Sequence, residues 1–181
     1  MAEAGGNGAA DGGAGVTIIV DGANVVGSRP DGWWRDRAGA AVRLHDNLAE
    51  LAARGQAGIP AAELAASESP PAGGRSHEPR DDRAEAPGLV PVTVLLVLEG
   101  AARKAVPRIA ERARAADHGE NGKNGEVDVV SAPGSGDDEI VRQAQRLAGH
   151  CIVVTADREL RRRCVAVGAR VAGPSWLYGL L

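Results

Sequence analysis

The chain has 181 residues, 44% of them hydrophobic and 25% charged, with a formal net charge of −3, two cysteines, four histidines and no phenylalanine. That length argues for one domain. No apolar run reaches membrane-spanning length, no basic start leads into a hydrophobic leader, and the histidines and cysteines lack zinc-site spacing, so the expected setting is the cytoplasm without a membrane partner.

Residues 1–15 are Gly, Ala, Asn and acids with no periodic apolar face, which predicts a disordered tail before a domain at 16–181. VTIIV at 16–20 predicts a buried strand that stops in Asp21-Gly22-Ala23-Asn24. Gly22 would allow a tight exit, so that Asp21 points over the sheet edge; Asp, Gly and Asn are also ordinary turn residues. Nine residues past Asn24 stands Trp33, followed by Trp34, in the Gly/Pro loop SRPDGWWRDR. One tryptophan reads as a packing pin. Trp34, beside Arg35 and Arg37, could stack on a base while arginine holds phosphate. Residues 37–53 place Val42, Leu44, Leu48 and Leu51 near one side of a helix, with Gly55 as its stop. Residues 67–88 are rich in Pro, Gly and charge and predict a flexible insert.

VTVLLVL then predicts a second strand running into Glu99. Residues 101–116 form a helical pattern with Val106 and Ile109 inward, and Pro107 fits best in its first turn. VDVV predicts a third strand, followed by a Gly/Ser loop and a helix at 136–148 carrying Ile140, Val141, Ala144 and Leu147. CIVVT predicts a fourth strand, followed by a helix at 157–167 with Leu160, Cys164 and Val167. A short strand at 169–172 and a terminal turn with Trp176, Leu177 and Leu180 close the chain. Cys151 and Cys164 read as small buried hydrophobes in a reducing compartment. Strands without alternation, each followed by a helix, predict an α/β fold with a mostly parallel sheet covered on both faces.

Each of the four main strands delivers a carboxylate at or soon after its C-terminal end: Asp21, Glu99, Asp137 with Asp138, and Asp157. In an open parallel sheet those ends share one rim, where such folds bind ligands. Carboxylates converging there repel one another unless a cation lies between them, which predicts a site for Mg²⁺ or Mn²⁺. Each acid also has a plainer reading. Ser135 with Asp138 makes a broad capping box, so the ligand role goes to Asp137 first. Asp157 reads as an N-cap, or as a rim ligand if Thr155 caps instead. Glu99 reads as an acid near a helix start.

The net charge of −3 argues only weakly against nucleic acid. Outside residues 1–15 and 63–88, bases outnumber acids by eighteen to sixteen. They include Arg161, Arg162 and Arg163 in one run, and Arg103, Lys104, Arg108, Arg112 and Arg114 along one helix. Such clusters contact phosphates or are simply solvated helix faces. Phosphate-loop, dinucleotide and nucleophile-elbow motifs are missing. Ala23 stands where a phosphoaspartyl phosphatase would need a second Asp.

IIVDGANVV, VLLVLEG, SGDDEIVRQA and VVTADRELRRR, in that order, resemble the motifs of the PIN-like nuclease superfamily, in particular its NYN branch and the YacP-like proteins. The resemblance implies a three-layer α/β/α sandwich and metal-dependent endoribonuclease cleavage. It implies Asp21, Asp137 and Asp157 as metal-binding acids, with Asn24, Glu99, Asp138 and Thr155 in support. It implies RNA as partner, with a ribosome or another RNA–protein complex as a candidate setting. Glu99 departs from the commoner Asp of that family. Two other readings stay open: a non-catalytic RNA-binding protein with a degraded site, and a metal-dependent hydrolase of nucleotides or small phosphate esters.

Overall fold

Runs of β-branched and aliphatic residues with no polar alternation can only be buried on both sides, and that requirement builds the molecule. The computed structural model describes residues 15–65, 88–117, 126–147 and 149–181. Its elements in chain order are β1 (Val16–Asp21), α1 (Gly22–Gly27), a 3₁₀ turn (Trp33–Arg35), α2 (Arg37–Ala57), β2 (Ile59–Pro60), α3 (Ala61–Ala65), β3 (Leu89–Val90), β4 (Val92–Leu98), a second 3₁₀ turn (Gly100–Ala105), α4 (Val106–Asp117), β5 (Val127–Ser131), α5 (Gly136–Arg146), β6 (Cys151–Val154), α6 (Arg158–Ala166), β7 (Arg170–Ala172) and α7 (Pro174–Leu180). The expected tail and insert lie outside the described residues, apart from Gly15 and Gly88 at their edges.

Five strands form one parallel sheet in the order β5-β4-β1-β6-β7, and β2 with β3 makes a two-stranded antiparallel pair. The chain steps outward from β1 to β4 and β5, then returns to β6 on the other side of β1. The order therefore reverses between β1 and β6, and the crevice outside their C-terminal ends is the natural ligand position of such a sheet.

Alternation along the strands sorts the core into two layers. Ile18, Val20, Val94, Leu96, Leu98, Ile152 and Val154 face α2, α4 and α7, where Leu48, Leu51, Ile109 and Leu177 are buried with them. Ile19, Val97, Val153 and Val171 face α5 and α6, against Ile140, Ala144, Leu160 and Cys164. Helices thus cover both faces, and the α/β/α sandwich expected from the sequence is what forms. The free thiols of Cys151 and Cys164 are both buried in the second layer. Burial pushes their pKa values up to about 11 and about 12, which leaves them protonated and inert.

Several local expectations need correction. Gly55 does not stop α2; the helix runs on to Ala57 and ends at Gly58, whose φ of 96° suits glycine. Gly55 is instead a point of close approach, since a Cβ there would lie 2.6 Å from the Val92 carbonyl oxygen. Asp21 is the last residue of β1 rather than one past it, and the DGAN segment opens the short helix α1 rather than a turn. Gly22 is needed for space, because a Cβ would sit 2.7 Å from the Val97 carbonyl oxygen. The chain closes in a helix, α7, with Pro174 in its first turn. Pro107 falls at the start of α4, as its missing N–H requires. Among the described residues no helix is long and apolar enough to cross a membrane.

Candidate active site at the carboxyl rim

The strand alternation that sorts the core continues to the rim. Asp21 follows Ile19 in parity, Glu99 follows Val97, and Thr155 follows Val153, so all three belong to the face covered by α5 and α6. The register pairs Val20 with Val154 and Asp21 with Val97, which sets Asp21 beside Thr155 and places Glu99 two residues beyond Asp21's partner on β4. α5 and α6 both start at this rim, and their first residues bring Asp137 and Asp157 to it.

Asp21 is 6% exposed and held by three donors. Asn24 donates its backbone N–H to Oδ1 (3.1 Å) and its side-chain amide to Oδ2 (2.8 Å), while the Thr155 hydroxyl donates to Oδ2 (2.8 Å). Asn24 and Thr155 thus give this nearly buried carboxylate its hydrogen-bond partners. Thr155 Oγ1 also accepts the Asp157 backbone N–H (3.1 Å), which ties the start of α6 to the end of β1. Thr155 does not relieve Asp157 of capping: Asp157 is the N-cap of α6 and accepts the Leu160 N–H through Oδ1 (2.8 Å).

Ser135 makes no side-chain capping bond, so the predicted capping box does not form. Glu99 does that work from another strand. Its Oε2 accepts the Gly136 backbone N–H at 2.8 Å. A Cβ on Gly136 would stand 2.7 Å from that same oxygen, so a larger residue there would push the Glu99 carboxylate aside. Glu99 therefore seats the first turn of α5 and with it the neighbouring Asp137. The longer side chain at this position has a visible use: it reaches across from β4 to a helix terminus.

Asp137 is where the charges meet. Its pKa is raised, first by partial burial, then by the negative charges of Asp21, Asp157 and Glu99, with Arg163 opposing. Three acids from three separate segments thus act on one. Asp138 turns elsewhere and forms an ion pair with Arg163 at 2.5 Å. The third acid of the α5 first turn, Glu139, is buried and satisfied by Arg142 and by the Gln143 amide at 2.7 Å. Sequence reading passed over Glu139, and its position on the apolar stripe beside Ile140 was the available sign.

The donor set suits a hard divalent cation: carboxylate oxygens only, mutually repelling, at the switch point of the sheet. Among the described residues no three His, Cys, Asp or Glu side chains form a compact ligand cluster. Mg²⁺ typically binds through one or two carboxylates, keeping its waters and substrate phosphate oxygens as the other ligands, so it does not need such a cage.

The basic residues divide. Arg162 pairs with Glu159 and Arg163 with Asp138, while Arg161 is also engaged. On the other side of the sheet Arg103 donates to the Ser131 hydroxyl (2.9 Å) and Arg112 pairs with Asp46. Arg35 and Arg37 are exposed in the tryptophan loop.

A scan against protein-family models and a search of curated proteins find no match. Among solved structures the chain is similar to a crystal structure of a point mutant of Rae1 (YacP) from Bacillus subtilis, with 16% sequence identity and a TM-score of 0.47 over 90% of this chain and 72% of that one. A likeness at this level says nothing about activity.

Proposed function

We propose that this protein is a metal-dependent endoribonuclease that hydrolyses RNA phosphodiester bonds at the carboxyl rim. The observation that carries the reading is the convergence of acids from separate segments at the rim, where partial burial first, and then the charges of Asp21, Asp157 and Glu99, raise the pKa of Asp137. Such gathered, mutually opposed acids are costly unless they serve a cation, and perturbed groups of this kind concentrate at functional sites. The motif resemblance supplies the nuclease chemistry.

Asp21, Asp137 and Asp157 would supply the carboxylates for Mg²⁺ or Mn²⁺, one or two of them directly and the rest through the ion's waters. When bound, such an ion polarises a phosphodiester and lowers the pKa of an attacking water. The chain's own residues have distinct tasks. Asn24 and Thr155 fix the Asp21 carboxylate in one orientation. Glu99, through Gly136, fixes the height of Asp137 above the sheet. Asp157 caps α6 through Oδ1, which leaves Oδ2 for a ligand. No histidine stands among these groups, so proton removal falls to water and carboxylate.

The test is cleavage of end-labelled RNA by purified full-length protein with Mg²⁺ or Mn²⁺, with chelator, and with Asp21→Asn. Cleavage should require the metal and fall by orders of magnitude in the variant, while the melting temperature shows that it still folds. Turnover of free nucleotides with RNA untouched would replace this reading by the phosphoester hydrolase. RNA binding with no cleavage under any metal would replace it by the non-catalytic reading, which the use of Glu99 as a helix cap favours.

A further inference from the structure

The most exposed aromatic surface lies beside the same rim. α2 ends with Gly55 against the Val92 carbonyl, at the start of β4. The helix therefore runs back along the sheet, and its first residue, Arg37, lies toward the C-terminal ends of the strands. The loop 28–36 is bounded by that helix start and by α1, which begins just after Asp21 and spans roughly 9 Å at 1.5 Å per residue. Trp33 is anchored there: its ring lies 3.8 Å from where a Cβ on Gly27 would be. Two acids of the loop bond backbone N–H groups there. Asp31 accepts the Trp33 N–H (3.1 Å) and Asp36 accepts the Gly39 N–H (2.8 Å).

Trp33 in turn braces Trp34. The two rings meet edge to face, 6.1 Å between centroids at 84°. The Arg37 guanidinium sits over the Trp33 ring at 5.4 Å. Trp34 itself is left 54% exposed, between Trp33 and the exposed Arg35. Keeping a large indole in water costs apolar hydration that a smaller residue would avoid. The bracing holds it in one pose, which lowers the entropy lost when something stacks on it.

We infer that Trp34 is a stacking platform for an unpaired base of an RNA strand approaching the rim acids, with Arg35 and Arg37 attracting the phosphates on either side. The inference rests on the RNA reading above and adds a preference for single strands. Bases buried in a duplex offer no face to the indole, whereas every unpaired base does. The local chemistry, an aromatic face with two exposed guanidinium groups, matches a polyanion with flat apolar rings.

The test is binding of a fluorescein-labelled single-stranded oligoribonucleotide, and of its duplex, to the full chain in chelator, by anisotropy. Trp34→Ala should weaken single-strand binding by about ten- to a hundredfold, the loss expected for one stacked base. Trp34→Phe should restore most of it, and duplex binding should change little. Arg35→Gln with Arg37→Gln should lower the salt dependence of binding. Unchanged single-strand affinity in Trp34→Ala, or equal losses for single strand and duplex, would overturn the platform. Trp34-dependent binding in a protein that cleaves nothing would keep the platform and sink the nuclease reading, so the two fail separately.

Discussion

The two faces of the sheet are built from the same strands yet do different work. Toward α2, α4 and α7, residues Val20, Leu98 and Val154 carry the apolar pattern to the ends of the strands. Toward α5 and α6, the next positions are Asp21, Glu99 and Thr155. One step of the pleat separates packing from polar chemistry. The α2 side uses one long helix of 21 residues laid along the sheet. The α5–α6 side uses two shorter helices whose starts point acids at the rim. A site can be placed on the second side because the first supplies the larger share of the core.

If that division holds, damage to each side should have a different signature. The largest effect is that of Asp21→Asn on cleavage, already described, with folding retained. Next comes Leu48→Ala on the α2 side. It removes a fully buried side chain and should cost about 2–5 kcal/mol of unfolding free energy, read by denaturant titration. Cleavage per folded molecule should stay near wild type. Loss of cleavage at full stability in Leu48→Ala would dissolve the distinction.

A smaller effect tests the rim from the stability side. The raised pKa of Asp137 means that its ionised form disfavours the folded state. Stability from this group is complete below the unfolded carboxylate pKa and is lost as pH rises through the folded value. Asp137→Asn should therefore raise the melting temperature of metal-free protein at pH 7 by a few degrees at most, since the group is partly exposed and screened. The gain should vanish near pH 3. Mn²⁺ should stabilise wild type more than this variant.

The smallest effect belongs to the α2 side. His45 is mostly buried, its Nδ1 lies 3.7 Å from Asp46, too far for a hydrogen bond, and burial lowers its pKa. A base with a depressed folded pKa contributes stability above its unfolded value, lost as pH falls through the folded one. Wild type should lose stability as pH drops below about 6.5. His45→Gln should show a flatter profile there in thermal melts. An unchanged slope would place the acid sensitivity elsewhere.

Much of the architecture was legible because it rests on strong local patterns. VTIIV, VTVLLVL and CIVVT could be little else but buried strands, and the Ile140 and Leu160 stripes fixed the faces of their helices. The rim acids were legible for the same reason, as they interrupt those runs at their ends. What escaped depended on distant contacts. Nothing near Gly55 or Gly22 announces a neighbouring carbonyl, so both looked like breakers or turns. Ser135 seemed the obvious cap, but Glu99, 37 residues upstream of Gly136, takes that N–H. The pairing of Asp138 with Arg163 likewise joins two helices that sequence spacing cannot bring together.

The hydroxyl bond from Thr155 to Asp21 spans 134 residues of chain. During synthesis, another 134 residues must follow Asp21 before Thr155 exists. β6 must lie beside β1 before the Thr155 hydroxyl reaches a carboxylate that Asn24 already holds locally. A growing chain thus carries its first acid without a finished rim. Closing so large a loop is among the slower steps a domain of this size can require. The arrangement of the rim is therefore a property of the completed sheet rather than of any segment leaving the ribosome.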